Sequence, residues 1–270
     1  MIIWIASYPK SGNTWVRSFL TNYLSDEASF NLQHLSNIKK FPRKELFDQL
    51  KIDYKDFQQI PANWIKMQEF INSKKKTTFL KTHNAMAKVN NYAFTDSINT
   101  KGFIYLVRDP RDIVISYASH LGKDIEETFS IMKNDKSFEM LNINSSQKMS
   151  ILGSWSSNYK SWKNCSVAKG LIIKYEDLVS KPKENFQKII DYLSKLNNFN
   201  IDNNKIIKSI NNTNFETLKK LELKDGFDEK GFNSFFRKGI VGDWKENLSP
   251  LIAKEIEETF ESEMLELGYL

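Results

Sequence analysis

Short apolar runs along this chain alternate with longer stretches in which apolar residues return every three or four positions. "IIWIAS" (2–7), "TTFLKTH" (77–83), "GFIYLV" (102–107) and "LIIKY" (171–175) are the strand candidates. "TWVRSFLTNYL" (14–24) places Trp15, Val16, Phe19, Leu20, Tyr23 and Leu24 along one helical stripe. The third run leads into "RDPRDIVISYASHL", where Asp109 suits an N-cap and Pro110 the first helical position. Ile113, Val114, Tyr117, Ala118 and Leu121 form the stripe of that helix, with Ser116 off its centre. Helical patterns follow at 146–164, 182–196, 203–222 and 250–266. Strands alternating with helices predict an α/β fold: a parallel sheet flanked by helices on both faces, with ligands at the carboxyl ends of its strands.

Two stretches lack a clear period. Residues 84–101 scatter apolar residues among Asn, Ser and Thr, and 224–243 combine Gly226, Gly231, Gly239 and Gly242 with Phe227, Phe232, Phe235 and Phe236. Both read as functional loops of the kind that form lids.

Length and composition narrow the class. With 270 residues, 40% of them hydrophobic, the chain can bury a substantial core, and we expect one domain over 1–270. The net charge of +6 comes from lysines spread along the chain, which describes a solvated basic surface. Clustered basic residues interleaved with aromatics are absent, which argues against nucleic acid as a partner. A single cysteine, Cys165, forbids an intrachain disulfide or a cysteine metal cluster and fits a reducing compartment. No apolar stretch approaches membrane-spanning length, and Met1 leads into too short a run for a signal segment. The expectation is a soluble cytoplasmic protein without a membrane partner. Only five of the 39 basic residues are arginine, and four of the five fall in or beside the segments that carry chemistry. Arginine's planar fork suits bidentate phosphate contacts that lysine cannot reproduce.

"ASYPKSGNTW" (6–15) joins the first strand to the first helix. Its Lys10, Ser11, Gly12, Asn13 and Thr14 provide a cation, two hydroxyls, an amide and a glycine that lets backbone approach an anion. The loop lacks the GxxxxGK[ST] order, which argues against a GTPase or ATPase, and no metal-phosphate apparatus of a kinase accompanies it.

These residues resemble a known family. "YPKSGNTW" is similar to the 5'-phosphosulfate loop, usually YPKSGTTW, of sulfotransferases that use 3'-phosphoadenosine 5'-phosphosulfate (PAPS); Asn13 replaces the first Thr. "LVRDPRDIVISY" (106–117) looks like the 3'-phosphate motif, with Arg108 and Ser116 at its key positions. "RKGIVGDWKENLS" (237–249) resembles the RKGxxGDWKxxFT segment, and "KTH" (81–83) the segment carrying the catalytic histidine, although Asn84 and Ala85 replace its Leu and Pro. "YEDLVSKP" (175–182) and "TNF" (213–215) are similar to segments near the adenine. The ordered matches run from residue 7 to 249.

The resemblance implies a sulfotransferase fold akin to that of P-loop nucleotide hydrolases, and a division of labour. His83 would take the acceptor proton, Lys10 assist the leaving 5'-phosphate, Lys81 neutralise the sulfuryl oxygens, and Ser116 bind the 3'-phosphate and interact with Lys10. Arg108, Arg237, Lys238 and Gly239 would surround the 3'-phosphate, while Trp15, Tyr175, Thr213 and Phe215 pack on the base. Ser11, Gly12, Asn13 and Thr14 would hold the 5'-phosphate. A bisphosphate leaving group demands no metal, so none is expected. His34, His120 and Arg111 match no donor contact and read as structural.

The expected reaction passes a sulfuryl group from PAPS to a hydroxyl or amine of a small acceptor and releases adenosine 3',5'-bisphosphate. Residues 84–101, 121–150 and 224–236 are expected to shape the acceptor pocket, their apolar residues suiting an aromatic or aliphatic body. A small-molecule kinase on a related scaffold and a non-catalytic binder of adenosine bisphosphate are the alternatives. The family's KxxxTVxxxE dimer segment is broken here, counting from Lys245, by Ser249, Pro250 and Lys254, which leaves the oligomeric state open.

Overall fold

Every residue of the first strand is buried, as a strand must be when both faces of its sheet are covered. The structure, a computed structural model, describes residues 1–25, 29–141 and 148–270. Its strands are β1 (Ile2–Ser7), β2 (Lys39–Lys40), β3 (Thr78–Thr82), β4 (Lys88–Val89), β5 (Tyr92–Ala93), β6 (Thr100–Val107), β7 (Phe138–Met140), β8 (Lys148–Ile151) and β9 (Gly170–Lys174). The helices are α1 (Asn13–Leu24), α2 (Lys44–Leu50), α3 (Gln59–Ala62), α4 (Trp64–Asn72), α5 (Pro110–Leu121), α6 (Ile125–Met132), α7 (Trp155–Lys163) and α8 (Tyr175–Ser180). They continue with α9 (Pro182–Asn197), α10 (Asn203–Asn212), α11 (Phe215–Asp225), α12 (Trp244–Asn247), α13 (Pro250–Thr259) and α14 (Glu261–Leu267).

The main sheet has the order β2-β3-β1-β6-β9, and each neighbouring pair is parallel. Alternation along β1 decides which residue meets which layer. Trp4 and Ala6 face one layer with Trp64, Phe94, Trp155 and Trp162. Ile3 and Ile5 face the other, with Val16, Phe19, Phe186 and Ile189. The expected α/β architecture is therefore present, with helices on both faces. Because β3 and β6 lie on opposite sides of β1, the strand order reverses there, and a crevice opens at the carboxyl ends.

The structure corrects several boundaries. The helical pattern expected over 146–164 becomes β8 and then α7, its first residues lying outside the described ones. Ser154 ends the strand run by capping α7, accepting from Ser157 N at 3.0 Å. The 203–222 pattern is two helices, because Asn214 caps a new start by accepting from Thr217 N at 2.9 Å. The 250–266 pattern breaks at Phe260, whose ring turns inward onto Trp155 at 5.1 Å between centroids. Tyr175, expected as the last residue of a strand, opens α8. The loop over 84–101 contains the β4–β5 hairpin and the start of β6. The expected cap at Asp109 is present, its carboxylate accepting from Arg111 N at 2.9 Å.

Helix α1 is clamped to α9 through aromatic rings. Phe186 is fully buried, stacks on Phe19 at 4.1 Å and meets Trp15 edge-on at 5.4 Å. Phe186→Ala is expected to destabilise the protein by about 3–5 kcal/mol, the usual effect of emptying a large aromatic site. Urea unfolding of the variant beside wild type checks this; a change under about 1 kcal/mol would contradict the packing.

Candidate active site

Four strands of the sheet deliver side chains to one cavity of about 1020 Å³. From the β1–α1 loop come Lys10, Gly12, Asn13, Thr14 and Trp15; from β3, Lys81 and the adjoining His83; after β6, Arg108 and Ser116; after β9, Tyr175. The loop over 227–243 supplies Glu229, Phe235, Phe236, Arg237, Lys238 and Gly239. Of the residues expected to bind the donor or act in catalysis, all but Ser11 and Thr213 line this cavity, whereas none of residues 84–101, expected to help shape the acceptor pocket, does. Ser11 is fully buried behind the loop, and its hydroxyl has no partner. Thr213 is also fully buried, and its hydroxyl donates to Ser209 O within its own chain segment at 2.7 Å.

The first loop is shaped by close approach. Lys10 has φ 64° and Gly12 φ 93°, a left-handed region that a side chain tolerates poorly. A Cβ on Gly12 would lie 2.6 Å from Tyr175 Cδ2, so only glycine lets the ring lie under the loop. Helix α1 then starts with no side-chain cap and no acidic residue in its first turn. Its unsatisfied N–H groups and positive dipole end are left for an anion. Asn13 turns its side chain back instead, donating from Nδ2 to Ile5 O at 3.0 Å and Ser7 Oγ at 3.2 Å.

Arg108 ties the walls together. It donates to Lys10 O at 3.3 Å and Ile240 O at 3.0 Å, and its guanidinium lies 4.3 Å from the Tyr175 ring centroid. Its Nε is buried without a partner, and so is that of Arg237. Asp112 stands behind it, 3.7 Å away, and accepts from Gly242 N at 2.8 Å and Trp244 N at 3.0 Å. Gly239 has φ 68°, and a Cβ there would meet the Phe215 ring at 2.2 Å. Arg237 and Lys238 both pair with Asp243, Lys238 at 2.7 Å. Trp15 meets Tyr175 edge-on at 6.2 Å.

Three cavity residues expected to act in catalysis, His83, Lys10 and Lys81, are shifted downward. His83 Nδ1 donates to Ser7 O at 2.7 Å, so Nε2 keeps the lone pair. Burial, followed by the Lys81 charge, lowers the His83 pKa to about 4. Burial, then the cations Lys81 and Arg108, brings Lys10 down to about 7. Lys10 Nζ sits 3.7 Å from the Phe235 ring centroid; among the described residues it makes no hydrogen bond to Ser116. Lys81 is depressed chiefly by burial, against the pull of Glu229.

Several side chains of this cavity escape a reading of the sequence. Glu229 accepts from Lys81 Nζ at 2.7 Å and from Arg17 Nη1 at 2.6 Å. Burial would raise its carboxyl, but Arg17 and Lys81 hold it well below the usual range. Lys40 and Glu139 also line the wall. No motif marks these residues; only the scarcity of arginine pointed toward Arg17. His120, read from sequence as structural, proves to line the cavity, its Nδ1 unpartnered and its pKa lowered to about 3 first by burial, then by Lys10. His34 is structural as expected, completing a capping box with Asn31. Arg111 is too, donating to Asp109, Glu257 and Tyr269 O and lying over Trp244.

The Lys10 shift has a measurable sign. Between about 7 and the ordinary 10.5 the unfolded chain binds a proton that folded Lys10 does not, so this group makes stability rise with pH across that window. NMR titration of the Lys10 side chain is expected to show a midpoint near 7, moving upward when an anion binds. A midpoint near 10 in the free protein would refute the enclosed position.

Comparisons with known proteins place this constellation. A sulfotransferase-domain family model matches residues 2–268. Cytosolic sulfotransferase 16 of Arabidopsis thaliana is 25% identical, over 98% of this chain and 77% of its own. Sulfotransferase 1B1 of Canis lupus familiaris is 26% identical, over 96% of this chain and 82% of its own. Among solved structures, retinol dehydratase in complex with androsterone and the inactive cofactor PAP superposes with a TM-score of 0.63 at 16% identity, covering 97% of this chain and 80% of that one; this likeness concerns the fold. With the family model spanning nearly the whole chain and the strand-end cavity built from the expected segments, the chain belongs to the sulfotransferase family.

Proposed function

We propose that residues 1–270 act as one sulfotransferase domain that moves a sulfuryl group from PAPS to a hydroxyl or amine of a small-molecule acceptor. The observation that carries the donor assignment is the set of buried, unpartnered donors around the first loop. Ser11 Oγ, Trp15 Nε1, Arg108 Nε and Arg237 Nε are all hidden from solvent without a hydrogen bond. Such groups are costly in a native fold unless a ligand meets them. A donor carrying two separate phosphate positions suits one cluster at the uncapped start of α1 and another at Arg108, Ser116, Arg237, Lys238 and the Gly239 backbone. Tyr175, Trp15 and Phe215 offer aromatic surface between them for a base.

The chemistry then follows from the side chains. His83 Nε2 takes the proton from the acceptor hydroxyl while the acceptor oxygen forms its bond to sulfur. The bond from sulfur to the bridging oxygen breaks, and its electron pair leaves with adenosine 3',5'-bisphosphate. Lys10 and the α1 N-terminus stabilise that departing charge, and Lys81 faces the sulfuryl oxygens. A neutral base is what transfer requires, and burial keeps His83 neutral above about pH 4. Retinol dehydratase was solved with androsterone beside PAP, and a cavity of about 1020 Å³ leaves room for a small acceptor in this chain too. No helix among the described residues is long and apolar enough to cross a membrane, which is compatible with a cytosolic setting such as the Arabidopsis relative's name gives.

Calorimetry of adenosine 3',5'-bisphosphate beside AMP and ATP-Mg tests the donor site. The bisphosphate is expected to bind at least tenfold tighter than either, and Arg108→Ala to remove that preference. Equal binding of ATP-Mg would move the chain toward a kinase.

Turnover separates an enzyme from a binder of adenosine bisphosphate. On a panel of phenols, alcohols and amines, His83→Ala is expected to lower kcat by about 10²–10⁴-fold. The donor kcat/KM should fall as pH rises above about 7, because Lys10 loses its charge there. Unchanged rates in His83→Ala would remove the base assignment.

A further inference from the structure

Beyond His83 the cavity wall mixes apolar Tyr117, Leu121, Ile131, Phe138 and Met140 with polar His120, Lys123, Asn134, Lys136 and Ser137. A half-buried ion pair also lies in this wall. Lys40, at the end of β2, donates from Nζ to Oε1 of Glu139 on β7 at 2.8 Å, and both residues line the cavity. Glu139 Oε2 is hidden from solvent and has no hydrogen-bond partner. The neighbouring donors are engaged elsewhere: Lys81 Nζ with Glu229 Oε2, and His83 Nδ1 with Ser7 O. Burial alone would favour a neutral carboxyl, yet Lys40, with Lys81 beyond it, keeps Glu139 ionised, with a pKa of about 2. An ionised oxygen offers only acceptor capacity. Lys40 fixes the carboxylate through one oxygen and leaves the other for a group that enters the cavity.

We propose that Glu139 is a specificity-determining residue of the acceptor site, its Oε2 accepting a hydrogen bond from a second hydroxyl or a protonated amine on the acceptor. The assignment rests on the sulfuryl-transfer reading above and narrows it. A compound with an apolar body and a single hydroxyl leaves Oε2 unpaired, whereas one with a further donor satisfies it. Sites built to bond a substrate donor reject analogues that lack it far more strongly than apolar pockets reject a change of size.

Three matched phenols test this: 4-ethylphenol, 4-(2-hydroxyethyl)phenol and tyramine, differing only in the far group. Wild type is expected to favour one or both donor-bearing phenols over 4-ethylphenol by at least about tenfold in kcat/KM, mainly through KM. The ranking of the two donor-bearing compounds says whether hydroxyl or ammonium is the better fit. In Glu139→Gln the discrimination should fall to about threefold or less, with adenosine 3',5'-bisphosphate affinity retained as the check on folding. Should none of the phenols turn over, calorimetric binding to the bisphosphate-loaded protein supplies the same ranking.

Equal or reversed preference in wild type overturns the assignment, as does discrimination that survives Glu139→Gln, or binding of none of the three. Failure of the underlying reading looks different: the bisphosphate itself would not bind, whatever the order of the phenols.

Discussion

A buried carboxylate, Asp112, is the constraint on which the site depends. It sits on the first turn of α5, only 1% exposed, and holds the backbone of Gly242 and Trp244 while facing Arg108. One side chain thereby joins the helix after β6, the C-terminal segment and the arginine that reaches back to Lys10 O. Burial raises its pKa, and Arg108 with the two backbone donors opposes that rise. Such an arrangement is stable only when each oxygen is satisfied. The β1–α1 loop and the loop over 227–243 therefore have a common anchor inside the fold rather than on its surface.

The lid-like segment is held from its other end by the same device. Glu222 on α11 accepts from Phe235 N at 2.6 Å and from Phe236 N at 2.9 Å. Glu229 between these anchors carries its charge to Arg17 and Lys81. Burying Lys10 beside Lys81 and Arg108 in one cavity lowers its pKa, first through burial and then through those charges, and carboxylates such as Glu229, which also pairs with Arg17, stand beside the cations. A polyanionic ligand offsets the same positive charge. The preference for anions is thus a property of the assembled cavity, since the net charge of +6 is spread over the whole chain.

The hydrophobic pattern was most legible where it was longest. The four strand candidates coincide with β1, β3, β6 and β9, and α1, α5 and α9 begin and end within about two residues of their stripes. It failed where a capping residue or an inward aromatic cut a continuous period, as at Asn214, Ser154 and Phe260. Elements of two to four residues, such as β2, β7 and α3, leave too few positions for a pattern to emerge. Loop 224–243 was recognised from its glycines, but neither its Glu229 contact nor the unpartnered oxygen of Glu139 had any local signature.

Local chemistry decided what the chain can hold: a buried strand, a loop with a cation, hydroxyls and a glycine that lets backbone approach an anion, and a helix start are legible in "ASYPKSGNTW", and Arg108 with its helix in its neighbours. Tertiary structure decided which residues share that site. Thr213 lies in a matching segment yet turns to Ser209, His120 leaves its structural reading for the cavity wall, and Lys40 meets Glu139 across 99 residues of chain. Spacing along a chain specifies backbone geometry over a few turns, whereas burial and charge pairing depend on every element packed around a side chain.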